Sequence, residues 1–276
     1  MTSLMLEETL AAPDAVRTML KANLAPIQAL GGLLRSVPPA SIVTIARGSS
    51  DHAAAYLAYL MTVRTGRLVT SLPMSLVTLY RAPLEAHRML AIAVSQSGRS
   101  PDVVEPVRVL RQGGATTLAL VNDEASPLAD AAEWVLPLHA GEERSVAATK
   151  SFICSLAAAA ALTAHWSQSD DLLQALRTLP EALEAARAQD WSAPVQALAG
   201  SERLMVVVAE KPACCLWSIP GTGPAGPSAW RTTGLVTPWR LRLPLIVRFF
   251  PSFATLVLVK VIVGKVATSK KSGLLR

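Results

Sequence analysis

Short apolar runs alternate with amphipathic segments through the first half of the chain. Segments with apolar positions three or four residues apart separate these runs and predict helices at 51–63 and 101–112. Five runs predict strands: Ser41–Ala46, Leu68–Leu72, Met89–Val94, Thr116–Val121 and Trp134–Leu138. Strands that alternate with helices predict an α/β fold, a three-layer sandwich with a five-stranded parallel sheet.

Apolar positions with helical spacing also precede and follow this region. Residues 4–34 predict helix with breaks at Pro13 and Pro26, and a helix is expected from Glu142–Lys150 to about Trp166. Further helices are expected around Pro180, at 170–183 and 184–198. The expected organisation is a helical segment over 1–40, one domain over 41–200 and a tail over 201–276.

A hydroxyl-rich loop, Ser95-Gln96-Ser97-Gly98-Arg99-Ser100, follows the apolar run at 89–94. Ser100 suits a helix N-cap, and Pro101 suits the first helical position. Hydroxyls, an amide and free N–H groups at a helix start favour an anion, although the same residues also make an ordinary capped turn. The loop is therefore a candidate phosphate site.

A second loop of similar composition, Arg47-Gly48-Ser49-Ser50, follows the strand predicted at 41–46. Ligands of open parallel sheets bind beyond the carboxyl ends of the strands. Parallel pairing would place both loops at the same edge, which favours the phosphate interpretation.

A third constellation is Glu142–Lys150, before the helix expected up to Trp166. Glu143 could act as an acid or base toward a sugar, and Lys150 could supply a counter-charge. Alternatively, Glu143 belongs to a capped, solvated helix start.

Four motifs in this order resemble the sugar isomerase (SIS) domain family: Arg47–Ala53, Ser95–Gly98, Val121–Asp123 and Ser145–Phe152. The chain is similar to the isomerase half of glutamine–fructose-6-phosphate aminotransferase and to SIS-type glucosamine-6-phosphate deaminases. The resemblance implies that the phosphate and sugar hydroxyls contact Gly48, Ser49, Ser50, Ser95, Gln96, Ser97 and Ser100. It also implies that Val146 binds through its backbone and that Glu143, the candidate catalytic residue, lies beside the sugar.

The chain departs from this family at several points. Arg99 stands where the synthases usually have an acidic residue, and Ala148 where they often have serine. No glutaminase domain precedes the matching region, so glutamine hydrolysis is not expected. After Val207 the family's second domain, with its catalytic lysine, glutamate and histidine, is not recognisable.

The charge distribution separates the tail from the rest of the chain. Residues 1–207 hold 16 Lys/Arg against 19 Asp/Glu, whereas residues 208–276 hold 10 against one and seven of the 19 prolines. The tail is either a basic arm for nucleic acid or a membrane surface, or sequence not selected to fold with the domain, such as a shifted reading frame. Its scattered charges favour the second alternative, and a poorly ordered tail is expected.

Composition limits the remaining possibilities. Three cysteines and four histidines without ligand spacing predict neither disulfides nor a metal, and no cofactor is expected. The apolar run from Leu243 is interrupted by Arg248, Pro251 and Lys260, so no membrane partner is expected. Nucleic acid is not an expected partner either. The N-terminus has no secretory pattern, which favours the cytoplasm.

Two functions follow from the residues and the resemblance. One is an enzyme that binds glucosamine 6-phosphate or fructose 6-phosphate and couples aldose–ketose isomerisation to transfer or release of the amino group, an activity impaired by loss of the second domain. The other is a non-catalytic module that binds a hexose or hexosamine phosphate. A homodimer is expected from the apolar faces of the N-terminal helices and the alanine-rich helix after Lys150.

Overall fold

The computed structural model describes residues 4–145, 148–190 and 192, together with the backbone of three strands between residues 201 and 232. The chain divides into two compact units. One unit is Ala11–Pro180, and the other combines Met1–Leu10 with Glu181–Arg276.

The larger unit contains the predicted five-stranded parallel sheet, in the order β2-β1-β3-β4-β5. Its strands are β1 (Ser41–Ala46), β2 (Val69–Ser71), β3 (Met89–Ser95), β4 (Thr116–Val121) and β5 (Trp134–Pro137). Ala46 pairs with Val94, and Val94 pairs with Leu120, so β1, β3 and β4 end side by side. The three central strands are almost entirely buried, as in parallel sheets covered on both faces. The predicted fold class is confirmed.

Ten helices lie in the described residues: α1 (Leu4–Leu10), α2 (Ala12–Ala22), α3 (Leu24–Ser36), α4 (Ser49–Thr65), α5 (Ser75–Thr78), α6 (Pro101–Gln112), α7 (Pro127–Ala131), α8 (Lys150–Ser167), α9 (Asp170–Arg177) and α10 (Leu179–Arg187). The helix predicted at 101–112 has the predicted bounds. The short helices α5 and α7 are not apparent from the sequence, since four or five residues are too few to display a helical period.

The helix boundaries near proline differ from those predicted. The breaks expected at Pro13 and Pro26 lie at Ala11 and Asn23, and both prolines occupy the first turn of the following helix. Proline is tolerated there because the first N–H groups of a helix have no partner within it. Pro180 likewise lies in the first turn of α10.

Helices cover both faces of the sheet. On one face α6 packs on β1, β3 and β4, and its Val103, Val107 and Leu110 join a core with Val43 and Ala91. Alternation along the strands directs Leu90, Ile92 and other residues to the opposite face, where α4 and α8 contact the sheet. These packed layers hold the strand ends in place.

Helix α8 is buried along almost its whole length. It contacts α2, α3, α4 and α9, and the alanine-rich stretch from Ala157 to Leu162 is at most 3% exposed. A Cβ atom on Gly31 of α3 would lie 3.1 Å from the main chain of His165, so the two helices approach closely. The alanine-rich face therefore packs inside its own unit, and the expectation that it offers surface for a dimer is wrong.

The smaller unit contains an antiparallel sheet of β6 (Ser201–Val208), β7 (Cys214–Pro220) and β8 (Arg231–Thr232). Strand β6 covers the apolar run Leu204–Val208 and begins at Ser201. Met205 pairs with Trp217, and Ser218 pairs with Arg231, within a region where the sequence shows no clear period. The rest of the tail lies outside the described residues, so its expected poor order stays a prediction.

Candidate functional site

The loop after β3 is shaped by a glycine that no other residue could replace without strain. Ser95 ends β3, and its Oγ accepts a hydrogen bond from the Gly98 N–H at 3.0 Å. Gly98 has φ +63°, and a Cβ atom there would lie 2.2 Å from Ser126 Oγ. Both the left-handed backbone and the close approach of Ser126 require glycine.

Neighbouring segments hold this loop against the end of β4. The Gly98 carbonyl accepts from the Leu128 N–H at 3.1 Å, and the Gln96 carbonyl accepts from the Asn122 N–H at 3.2 Å. The Arg99 guanidinium donates to Asp123 at 2.9 Å, and this hydrogen bond lowers the pKa of the Asp123 carboxyl. The loop is therefore fixed by main-chain and charged contacts before any ligand arrives.

Ser100 begins α6 as predicted, but its side chain does not cap the helix. Its carbonyl accepts from the Val103 and Val104 N–H groups at 3.0 Å, with an extended backbone of φ −71° and ψ 118°. No hydrogen bond of the Ser100 hydroxyl is found within the described residues. Ser97 Oγ accepts only a long bond of 3.4 Å, from the Arg99 N–H. Both hydroxyls are thus able to donate to a ligand.

The loop after β1 is shorter than the sequence predicts. Helix α4 begins at Ser49, so Ser49 and Ser50 form its first turn, and the loop consists of Arg47 and Gly48. Gly48 has φ +59° and ends the strand abruptly, and its carbonyl accepts from the Asp51 N–H at 3.1 Å. Within the part of the chain that is described, the hydroxyls of Ser49 and Ser50 have no hydrogen-bond partner.

An ion pair brings the two loops together. Arg47, beside Gly48, contacts the carboxylate of Asp102 in the first turn of α6. Because β1 and β3 are adjacent and parallel, the first turns of α4 and α6 lie at the same edge. The expected convergence of the two hydroxyl-rich segments is therefore present.

Glu143 lies against the start of α8. Its Oε1 accepts from the Thr149 N–H at 2.7 Å, the Thr149 hydroxyl at 3.1 Å and the Ser151 N–H at 3.3 Å, and its Oε2 accepts from the Ser151 hydroxyl. A carboxylate in this position satisfies helix N–H groups and favours the helix dipole. This is the geometry of the capped helix start, the alternative interpretation of the Glu142–Lys150 segment.

Two further groups lie near Glu143. Lys150 Nζ is 3.8 Å from the position that a Cβ atom on Gly141 would occupy, so its ammonium approaches the connection between β5 and α8. Burial, with a smaller contribution from Glu143, raises the pKa of the Cys154 thiol to about 12. Cys154 is therefore a protonated core residue and a poor nucleophile.

Residues with polar roles at this edge extend beyond those chosen from the sequence. Asn122 and Asp123, which belong to the motif Val121–Asp123 but had no role assigned from the sequence, follow β4 and form hydrogen bonds with neighbouring loops. Ser126 packs against Gly98, and no sequence pattern indicates this contact. Val146 lies outside the described residues. No group of three or more His, Cys, Asp or Glu side chains arranged to hold a metal ion occurs in the described residues. None of the described helices combines the length and hydropathy that a membrane span requires.

Comparison with known proteins agrees with this architecture. The SIS domain family model matches residues 37–165. A glutamine–fructose-6-phosphate aminotransferase (isomerizing) from Thermus thermophilus is 36% identical over 150 residues, which are 51% of this chain and 24% of that enzyme. The chain thus spans about a quarter of the length of this relative.

Solved structures show the same fold. A Silicibacter pomeroyi protein assigned as a phosphosugar isomerase has a TM-score of 0.68 and 41% identity, over 71% of this chain and 60% of that one. Glucosamine-6-phosphate deaminase from Thermotoga maritima has a TM-score of 0.52 and 20% identity, over 65% and 54% of the two chains. The chain therefore carries an SIS domain, homologous to the isomerase domain of glutamine–fructose-6-phosphate aminotransferases.

Proposed function

We propose that the carboxyl edge of the five-stranded sheet binds a hexose or hexosamine phosphate. The observation that carries the proposal is the convergence of two helix starts, α4 and α6, whose serine hydroxyls have no partner within the described residues. A phosphate between them would accept from main-chain N–H groups and from the hydroxyls of Ser50, Ser97 and Ser100. The names of the phosphosugar isomerase relatives support a sugar phosphate over other anions.

The local charges suit this form of recognition. Arg47 is paired with Asp102 and Arg99 with Asp123, so the nearby guanidinium groups are already balanced. The phosphate would therefore be bound mainly by neutral donors at two helix N-termini, where dipole and free N–H groups favour an anion.

Isothermal titration calorimetry with glucosamine 6-phosphate tests the proposal. Replacement of Ser50 and Ser97 by alanine removes two donors without removing an internal hydrogen bond shorter than 3.4 Å. The affinity should fall by about 1.5–3 kcal/mol, or roughly 10- to 150-fold. Ser41→Ala, at the opposite edge of the same sheet, is the matched control and should bind as the unaltered protein does. Equal affinity in all three proteins would refute the site.

A second candidate is catalysis, favoured by similarity to aminotransferases and a deaminase. Glucosamine 6-phosphate and water would give fructose 6-phosphate and ammonia, with a proton moved between the first two sugar carbons. Glu143 is the candidate base, and it would have to release hydrogen bonds to the α8 start to take part. The geometry therefore supports binding better than catalysis.

An assay of ammonia release separates the two functions. A binding module releases no ammonia above the buffer rate. An enzyme would release it at about 1–1000 per second, and Glu143→Gln should then abolish release while the sugar phosphate still binds. Ammonia release that survives Glu143→Gln would assign the proton transfer to another residue.

The expected homodimer and cytoplasmic location remain proposals. Light scattering over a concentration series measures the oligomeric state, and a mass of 29.2 kDa at every concentration would contradict the dimer.

A further inference from the structure

Asn122 connects the loop after β3 to the connection between β5 and α8, and it has no role in the proposed binding of the phosphate. Its main-chain N–H donates to the Gln96 carbonyl at 3.2 Å, within the loop after β3. Its side chain reaches the other way, to the connection between β5 and α8. There Oδ1 accepts from the Ala140 N–H, and Nδ2 donates to the Gly141 carbonyl, both at 2.8 Å. One residue thus ties together the segments that precede α6 and α8.

The backbone that Asn122 holds is conformationally costly. His139 has φ +47° and Gly141 has φ +69°, so two left-handed residues flank Ala140. A left-handed non-glycine residue persists only where its surroundings enforce it. The His139 ring also lies 3.6 Å from the Glu124 carboxylate, a second contact between the same two connections. The paired amide hydrogen bonds are short and fix both sides of Ala140.

After this turn a second set of hydrogen bonds holds the chain, at Glu143. Glu143, two residues after Gly141, is anchored to the start of α8 through Thr149 and Ser151. Residues 139–143 are therefore held at one end by Asn122 and at the other by α8. The placement of Glu143 relative to the loop at 95–100 depends on both attachments.

We propose that Asn122 is a positioning residue: its side chain holds residues 139–143, and with them Glu143, in place beside the sugar. This part of the site is called the sugar side. The phosphate side, formed by the first turns of α4 and α6 and the loop after β3, does not depend on the Asn122 side chain. The identity of the ligand rests on the proposed function, whereas the role of Asn122 in holding the turn applies equally to the protein without ligand. Loss of the Asn122 side chain releases the turn at His139–Gly141 and displaces Glu143, while the first turns of α4 and α6 keep their places. Recognition of the sugar then weakens, and recognition of the phosphate group persists.

Two variants separate hydrogen bonding from packing. Asn122→Ala removes both side-chain hydrogen bonds. Asn122→Asp keeps the size and shape but places a carboxylate oxygen against the Gly141 carbonyl, so it loses the donor bond and adds repulsion. If Asn122 only fills space, Asn122→Asp retains the properties of the unaltered protein. If instead its two hydrogen bonds act as a clamp on the turn at His139–Gly141, both variants hold that turn less tightly.

The first measurement is amide hydrogen exchange by NMR in the protein without ligand. The Ala140 amide should be protected in the unaltered protein and should exchange at least tenfold faster in Asn122→Ala, as expected when a hydrogen bond of about 1.4 kcal/mol is lost. Asn122→Asp keeps an acceptor for this amide but repels the Gly141 carbonyl, so it should show a smaller increase in exchange. Asn23→Ala is the matched control, because Asn23 Nδ2 donates to the Pro137 carbonyl at 2.7 Å, at the end of β5, and no hydrogen bond joins Asn23 to residues 139–141 among the described residues. Protection of Ala140 that is unchanged in Asn122→Ala would overturn the clamp, whatever the ligand proves to be.

The second measurement compares two ligands by calorimetry, glucosamine 6-phosphate and inorganic phosphate. In Asn122→Ala the affinity for the sugar phosphate should fall roughly tenfold relative to that for inorganic phosphate. Asn23→Ala should leave the ratio unchanged even if it lowers the melting temperature. Equal losses for both ligands would overturn the assignment to the sugar side. If the unaltered protein binds neither ligand, the proposed function fails, while the exchange experiment still decides the clamp.

Discussion

The loops after β1 and β3 have similar compositions and lie side by side, yet they are held in different ways. The loop after β3 has an internal hydrogen bond from Gly98 to Ser95, close packing of Gly98 on Ser126, and an ion pair from Arg99 to Asp123. The loop after β1 has an ion pair from Arg47, and no described atom outside the adjoining residues lies within 4 Å of a Cβ atom placed on Gly48. One loop is built into the core, and the other lies on its surface.

This difference suggests a division of roles. A loop fixed in advance pays little ordering entropy when a ligand binds, so the segment after β3 suits the charged phosphate group. A loop with open space beside it can adjust to the ligand, which suits contacts that vary among sugars. If this division holds, substitutions in the loop after β3 should destabilise the protein more than substitutions in the loop after β1.

The largest expected effect is that of alanine at Gly98. Gly98→Ala adds left-handed strain of about 1–3 kcal/mol and overpacking against Ser126 of about 1–3 kcal/mol. Gly48→Ala adds backbone strain without overpacking, since no described atom outside the adjoining residues lies within 4 Å of the new methyl group. Urea unfolding should therefore show a loss of stability at Gly98 about twice that at Gly48. Equal losses would mean that the contact with Ser126 relaxes freely and that the loop is less rigid than described.

A smaller effect is expected from the serine hydroxyls. Ser95→Ala removes the acceptor for the Gly98 N–H and should cost about 1 kcal/mol of stability. Ser50→Ala, in the first turn of α4, removes a hydroxyl without an internal partner among the described residues and should leave stability unchanged. Thermal unfolding compares the two variants. A greater loss for Ser50→Ala would reverse the assignment of structural and ligand-binding hydroxyls.

The smallest effect concerns pH. The hydrogen bond from Arg99 lowers the folded-state pKa of Asp123 below its unfolded value of about 3.9. The resulting stabilisation is present above the unfolded pKa and disappears as the pH falls through the folded pKa. Arg99→Ala should therefore be less stable than the unaltered protein at neutral pH and equally stable in strong acid. Arg108→Ala, which removes the exposed pair with Glu105 on α6, is the control for an ion pair outside the loop.

Much of the fold follows from periodicity. The strand at 41–46 and the helix at 101–112 have the predicted bounds because proline and glycine mark the ends of each element. Pro39 and Gly48 flank the strand, and Pro101 and Gly113 mark the two ends of the helix. Helix α4 begins two residues before the predicted start because serine suits both a loop and a first helical turn. Local propensity does not decide between them, whereas the positive φ of Gly48 marks the end of the loop.

The residue types of the site could be predicted from the sequence, but the contacts between its segments could not. The hydroxyl-rich loops could be found because their residue types suit anion binding. The contacts of Asn122 with Gly141 and of Gly98 with Ser126 join residues 19 and 28 positions apart along the chain. Such contacts depend on strand order and helix placement, so no local pattern reveals them. For the same reason the sequence left both roles open for Glu143.

A crystal structure with glucosamine 6-phosphate bound would show whether the phosphate occupies the proposed site. We expect the phosphate between the first turns of α4 and α6, within hydrogen-bonding distance of the hydroxyls of Ser50, Ser97 or Ser100, with Gly98 unmoved from its contact with Ser126. A phosphate bound elsewhere on the chain, or held by Arg47 and Arg99 after their carboxylate partners have moved away, would contradict it.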